Sequence, residues 1–270
     1  MKTSHFNPAT QQGSQPVRVL QHNLTHGLEN ANPGFLKELK WLIAEEGLQP
    51  GISYRISDCP IVGPMGSGSL SVRSSDKKVE LPETFLSFMW GVTYTLVVVF
   101  SEMILKPAQS GRATMPNVRS LREADQLLKY AASPITAYSR WDIHSLPNPE
   151  FYDAQDDRYV EKANGAFVPA VVFVLCHEVA HVALGHCTLD NLGIYVSSAD
   201  SKLDETAADF YAIDTMTKDP ADGRFQWPEA TGIIAGLASL LMLSKEVRED
   251  RHPDATGRLK HRHSPLPFLL

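Results

Sequence analysis

The stretch at residues 167–186 reads FVPAVVFVLCHEVAHVALGH. Its first half, FVPAVVFVLC, is entirely apolar, which predicts a helix enclosed in a protein core. Two histidines and a glutamate on such a helix would be costly to bury unless each of them had a partner. The sequence therefore predicts a buried helix from Phe167 to His186 that carries functional polar groups.

The HEVAH segment within this helix has the spacing of a metal site. His177 and His181 are four residues apart, so on a helix they lie about 40° apart on one face. Two imidazoles placed in this way can bind one metal ion. Glu178 lies about 100° further round the helix, beside the expected metal, where it can take a proton from a metal-activated water. The alternative is a helix with one buried and one surface histidine, and the apolar stretch before the motif argues against it.

A catalytic zinc usually has three protein ligands and one open position, so a third ligand is needed. On a continuous helix, His186 would lie about half a turn round the axis from His177. This position favours a helix-terminus role for His186 over metal binding. Glu205 and Asp209, in LDETAAD at 203–209, share one face of a second predicted helix. One of these carboxylates can bind the metal while the other accepts the free ring N–H of a ligand histidine. Two solvated surface carboxylates are the alternative.

The combination HEVAHVALGH at 177–186 and DETAAD at 204–209 resembles the gluzincin peptidases, especially the HtpX-like and CAAX prenyl protease-like family with its HExxH…ExxxD pattern. The resemblance implies one Zn²⁺ per chain. It also implies the roles of five residues: His177, His181 and Glu205 as zinc ligands, Glu178 as the general base, and Asp209 as a partner of a ligand histidine. The implied activity is that of a zinc-dependent endopeptidase that hydrolyses a polypeptide substrate through a metal-activated water.

A late segment, RHPDATGR at 251–258, is similar to the HPxxxxR motif of the same family. The resemblance implies that His252 and Arg258 contact the substrate carbonyl or stabilise the oxyanion. The alternative is a helix start with Pro253 in its first turn. The resemblance covers about residues 165–262. A weaker one is to the cytoplasmic phage-exclusion (Lit-type) peptidases, which also carry HExxH.

The fold class predicted is α+β and zincin-like, helix-rich, with a small β-sheet or hairpin beside the HExxH helix. Polar residues 1–31 are expected to form a flexible N-terminal arm, and residues 32–270 a single zincin-like domain. Further helices are predicted over 32–47, 120–131, 202–217 and 228–243, a hairpin over 69–81, and a long surface connection over 133–162. The strand at 69–73 is either an ordinary strand or one that binds an extended peptide.

Residues 84–101, TFLSFMWGVTYTLVVVFS, carry no charge and are close to the shortest length that spans a bilayer. A buried core helix is favoured, and a membrane-associated protease anchored by this segment is the alternative. The net charge of −6 argues against a nucleic-acid partner. Three cysteines without a CxxC pair, and no apolar signal core at the N-terminus, favour a cytoplasmic setting. A non-catalytic zincin scaffold that holds a peptide is the alternative function.

Overall fold

The computed structural model describes residues 1–29, 33–48, 53–55, 71–73, 78–136, 139–155, 157–186, 198–217 and 227–247. Its strands are β1 (Thr3–Ser4), β2 (Ser53–Arg55), β3 (Ser71–Arg73), β4 (Lys78–Pro82) and β5 (Phe151–Tyr152). Its α-helices are α1 (Gln21–Glu29), α2 (Pro33–Glu45), α3 (Glu83–Phe100), α4 (Lys106–Ser110), α5 (Val118–Thr136), α6 (Arg158–Ala183), α7 (Ser198–Thr217) and α8 (Trp227–Val247). A 3₁₀ turn precedes α1 at Pro16–Leu20, and a π-helical turn joins α3 to α4 at Ser101–Leu105. The six helices predicted from the sequence are thus present as α2, α3, α5, α6, α7 and α8, with different lengths.

The helix that carries HEVAH, α6, lies at the centre of the fold. It packs against α1, α3, α7 and α8, and its side chains from Phe167 to His177 are buried apart from Val168 and Pro169. Two glycines bring α8 very close to it. A Cβ on Gly232 would lie 2.5 Å from Cβ of Pro169, and one on Gly236 would lie 2.6 Å from the ring of Phe173. The absence of a side chain at these two positions therefore allows α8 to pack closely against α6.

A three-stranded sheet in the order β2-β4-β3 lies beside α6. Strands β3 and β4 are antiparallel, with Val72 opposite Val79, whereas β2 pairs with β4 in parallel. The predicted hairpin is confirmed in these two strands, and β3 lies at an edge of the described sheet. The α+β class is compatible with this mixture of many helices and a small sheet, while the zincin-like fold stays a prediction.

The apolar segment 84–101 forms most of α3, whose side chains are buried from Glu83 to Tyr94. The helical run continues past Glu102, whose buried carboxylate accepts hydrogen bonds from Lys106 Nζ, the Asn117 amide and the Tyr159 hydroxyl. Within the described residues, the segments Glu83–Ser110 and Arg158–Ala183 are long and apolar enough to cross a membrane, and most of each is buried inside the fold.

Residues 1–29 lie within the stretch expected to form a flexible arm, and several of their side chains are buried. Val17, Leu20 and Leu24 belong to the core, at the spacing of a helical face. The polar residues before them are held by charged partners. The buried Glu83 carboxylate accepts the amide hydrogens of Ser14 and Gln15 at 3.0 and 2.7 Å. Ser14 and Gln15 therefore donate hydrogen bonds to a buried carboxylate, although the polar composition of this stretch suggested disorder.

The prediction of a long surface connection over 133–162 is wrong in part. Helix α5 continues to Thr136 and α6 begins at Arg158, so both helices extend into this stretch. Between them, the side chain of Trp141 is buried, and the Asn148 side-chain amide donates hydrogen bonds to the carbonyls of Ile143 and Leu146, each at 2.9 Å. The buried Trp141 side chain therefore attaches this stretch to the hydrophobic core.

Candidate metal centre

His177 and His181 project from the last turns of α6 toward one point. Their rings are 5.0 Å apart between centroids and nearly perpendicular, and their Nε2 atoms are separated by 3.3 Å. His177 is buried and His181 is partly exposed. The i, i+4 spacing therefore gives the shared face that the sequence predicted.

Helix α7 brings the predicted third residue to the same point. It packs against α6, and its Ala208 and Ala212 side chains are fully buried. Glu205 Oε2 lies 3.2 Å from His177 Nε2, and Glu205 Oε1 lies 3.8 Å from His181 Nε2. One donor atom from each of the three residues lies within 4.8 Å of the others, which makes them a group that could hold a metal ion.

Asp209 contacts the opposite nitrogen of the buried histidine. Its Oδ1 atom is 3.0 Å from His177 Nδ1, so Glu205 and Asp209 approach the two sides of one imidazole. Burial by itself lowers the pKa of His177, but hydrogen bonds to Asp209 and Glu205 and the charge of Glu178 raise that pKa to about 10. These surroundings favour a positive charge beside His177, which either a proton or a metal cation can supply.

Glu178 is half-buried and lies one position along α6 from His177. Its negative charge contributes to the raised pKa of His177, so it is electrostatically coupled to the cluster. Consecutive helical positions such as His177 and Glu178 lie about 100° apart around the helix axis. Its role as general base stays a prediction.

His186 is placed differently from the sequence argument, which assumed a helix continuing to that residue. Helix α6 ends at Ala183, and Gly185 adopts a left-handed backbone with φ of +75°. The chain turns there and brings His186 Nδ1 to 3.0 Å from His181 Nδ1. Sequence reasoning missed this contact, although a glycine at the end of a helix is a signal for such a turn.

The other two predicted site residues, His252 and Arg258, lie outside the described residues, and their roles stay predictions. The structure thus brings together His177, His181 and Glu205, with Asp209 behind the first of them.

The chain matches the model of a known protein family. The family model described as Peptidase U49 matches residues 79–267, well over half of the chain and the whole of the cluster described above. Neither the curated proteins nor the solved structures contain a match. The match supports a proteolytic enzyme, as the sequence predicted, and leaves the HtpX-like assignment and the zinc dependence as predictions. On this evidence the chain belongs to the Peptidase U49 family.

Proposed function

We propose that this peptidase is a zinc-dependent endopeptidase of the gluzincin type, with His177, His181 and Glu205 as the metal ligands. The observation that carries the proposal is the spacing of the three donor groups. Two ligand atoms of a tetrahedral zinc, each about 2.05 Å from the metal, are about 3.3 Å apart. The Nε2 atoms of His177 and His181 are 3.3 Å apart, which equals that edge length, and the two oxygens of the Glu205 carboxylate lie 3.2 Å from the first and 3.8 Å from the second.

The chemistry of the donors favours zinc as well. Two imidazole nitrogens and one carboxylate form one of the donor sets that catalytic zinc sites use, and such a set leaves a fourth position for water or substrate. Imidazole ligands disfavour magnesium and calcium, which prefer sites made wholly of oxygen atoms. The residues present therefore fit a catalytic zinc ion.

When bound here, zinc would act as a Lewis acid and lower the pKa of a water molecule toward neutrality. Glu178 would take the proton of the attacking water and return it to the leaving amine. Asp209 accepts the Nδ1 proton of His177, which leaves the Nε2 lone pair directed at the metal position. His252 and Arg258, by resemblance, would stabilise negative charge on the substrate carbonyl oxygen.

An extended polypeptide is the substrate class that this arrangement favours. The edge strand β3 and its neighbour β4 both contact α6, the helix that carries Glu178. The unpaired edge of a strand can bind an extended peptide through main-chain hydrogen bonds, which works for many sequences. We infer that β3 aligns the substrate beside the metal cluster.

Removal and return of the metal test the proposal. The full chain is assayed on an unfolded protein substrate before and after dialysis against a chelator, and zinc or magnesium is then added back. We expect activity to disappear with the chelator and to return with zinc at one equivalent per chain, but not with magnesium. Full activity in protein that contains no metal would overturn the proposal.

A further inference from the structure

The two ring nitrogens of His181 face different partners. Its Nε2 atom faces the donor cluster, 3.3 Å from His177 Nε2 and 3.8 Å from Glu205 Oε1. Its Nδ1 atom, on the other side of the ring, lies 3.0 Å from His186 Nδ1. His186 therefore contacts the side of His181 that faces away from the metal position.

The second nitrogen of His186 also has a partner. His186 Nε2 lies 3.4 Å from Asp204 Oδ1, and both side chains are partly buried. Asp204 directly precedes Glu205 in α7, so the two carboxylates lie about 100° apart around that helix. One of them faces the donor cluster and the other faces the outer histidine.

These contacts are consistent with one set of proton positions. If His181 uses the Nε2 lone pair to bind a metal, its proton is on Nδ1 and is donated to His186 Nδ1. His186 then carries its own proton on Nε2, the nitrogen that faces the Asp204 carboxylate at 3.4 Å. Each of these ring nitrogens is then either a donor or an acceptor, and no two donors face each other.

We propose that His186, supported by Asp204, is a positioning residue that fixes the ring orientation and tautomer of His181; this inference rests on the proposed zinc site. The two ligand histidines are then held by different acceptors. His177 donates directly to the Asp209 carboxylate, whereas His181 donates to an imidazole that is itself held by a carboxylate. Partners of this kind orient metal ligands and raise their basicity.

The local backbone explains why His186 can reach this position. Helix α6 is closed by hydrogen bonds from the Leu184 amide to the Ala180 carbonyl at 2.8 Å and from the Gly185 amide to the Val182 carbonyl at 3.1 Å. The left-handed conformation of Gly185 then redirects the chain, a conformation that glycine adopts without steric cost. A continuous helix would have carried His186 to the opposite face.

Zinc affinity of the full chain tests the inference. The dissociation constant is measured by competition with a chromophoric chelator for wild type, His186→Ala, His186→Asn and Asp204→Asn. His22→Ala, an exposed histidine on α1, is the matched control. We expect His186→Ala to weaken zinc binding about 10–100-fold, Asp204→Asn to weaken it less, and His22→Ala to leave it unchanged.

Two further readouts separate positioning from a structural role. The unfolding midpoint of the metal-free protein should be the same for wild type and His186→Ala. The absorption spectrum of cobalt-substituted His186→Ala should differ from that of cobalt-substituted wild type. His186→Asn, whose side-chain oxygen can accept near the Nδ1 position, should recover most of the affinity. If His186→Ala does not fold, His186→Asn and Asp204→Asn carry the comparison.

Each remaining outcome has a distinct meaning. Wild-type zinc affinity in His186→Ala would overturn the inference and leave the proposed function standing. A loss as complete as that of His181→Ala, without recovery in His186→Asn, would make His186 a ligand and also overturn it. Absence of tight zinc binding by the wild-type protein would overturn the proposed function and, with it, this inference.

Discussion

The two parts of α6 place very different demands on their surroundings. From Phe167 to Cys176 the helix is apolar, and Gly232 and Gly236 of α8 allow close contact with it. From His177 to His181 the same helix carries titratable groups, and carboxylates of α7 surround the buried His177. One half is stabilised by burial of apolar surface and the other by charged hydrogen bonds.

Residues that stabilise the fold and residues that carry the chemistry are therefore separated along a single helix. The rigid half fixes the helix axis, and the polar half then presents donors at a spacing set by the helical repeat. Substitutions in the first half should therefore change the free energy of unfolding with little effect on the metal site of the folded molecules. Substitutions in the second half should do the reverse.

The largest effect is expected from Glu178→Gln in the polar half. The amide cannot take a proton from water, so kcat should fall by about 10²–10⁴-fold, the usual contribution of a general base. Zinc content and the unfolding midpoint should stay at wild-type values. Steady-state kinetics and metal analysis check both parts, with Glu161→Gln near the other end of α6 as the matched control. Retention of full activity in Glu178→Gln would break the assignment.

Phe173→Ala in the apolar half comes next. The ring is fully buried against α8, so its removal should lower the free energy of unfolding by about 3–5 kcal/mol. Denaturant unfolding measures the loss, and zinc titration under folding conditions should give wild-type affinity. The exposed Leu203→Ala on α7 is the control and should change the free energy of unfolding by less than about 0.5 kcal/mol. A large change in zinc affinity in Phe173→Ala would show that the two halves are coupled.

Asp209→Asn should have a smaller effect, confined to the metal. The neutral amide oxygen is a weaker acceptor for the His177 Nδ1 proton than the charged carboxylate, so zinc affinity should fall about 10–100-fold. Chelator competition gives the dissociation constant, with the exposed Asp214→Asn on the same helix as the control. Equal zinc affinity in both variants would remove Asp209 from the site.

Cys176→Ala tests the boundary between the halves and should have the smallest effect. Burial raises the pKa of the Cys176 thiol, which keeps it protonated and unsuited to metal binding. We expect a loss of about 1 kcal/mol in the free energy of unfolding and no change in zinc affinity. If zinc affinity falls in this variant, the boundary lies before Cys176 and the thiol belongs to the polar half.

The parts of the fold that were predictable from sequence are those governed by local periodicity. The spacings of His177 and His181, and of Glu205 and Asp209, are each one helical turn, so their shared faces followed from helix geometry. The approach of α7 to α6 was expected because the two motifs supply complementary metal ligands. The hairpin strands followed from alternating apolar residues.

The features missed depend on contacts between distant segments. Glu83 holds Ser14 and Gln15, which no local pattern in a polar N-terminus reveals. His186 was misplaced because the helix ends early, at a glycine whose left-handed conformation reverses the phase argument. In both cases a single hydrogen-bonding partner or backbone angle outweighs composition and periodicity.

The central claim is that His177, His181 and Glu205 together bind one catalytic zinc. Diffraction data collected on both sides of the zinc absorption edge, from crystals of the full chain, test it most directly. The account predicts one zinc per chain, about 2.0–2.2 Å from Nε2 of both histidines and from a carboxylate oxygen of Glu205. Zinc bound by other residues, or an anomalous signal absent from crystals of active protein, would contradict it.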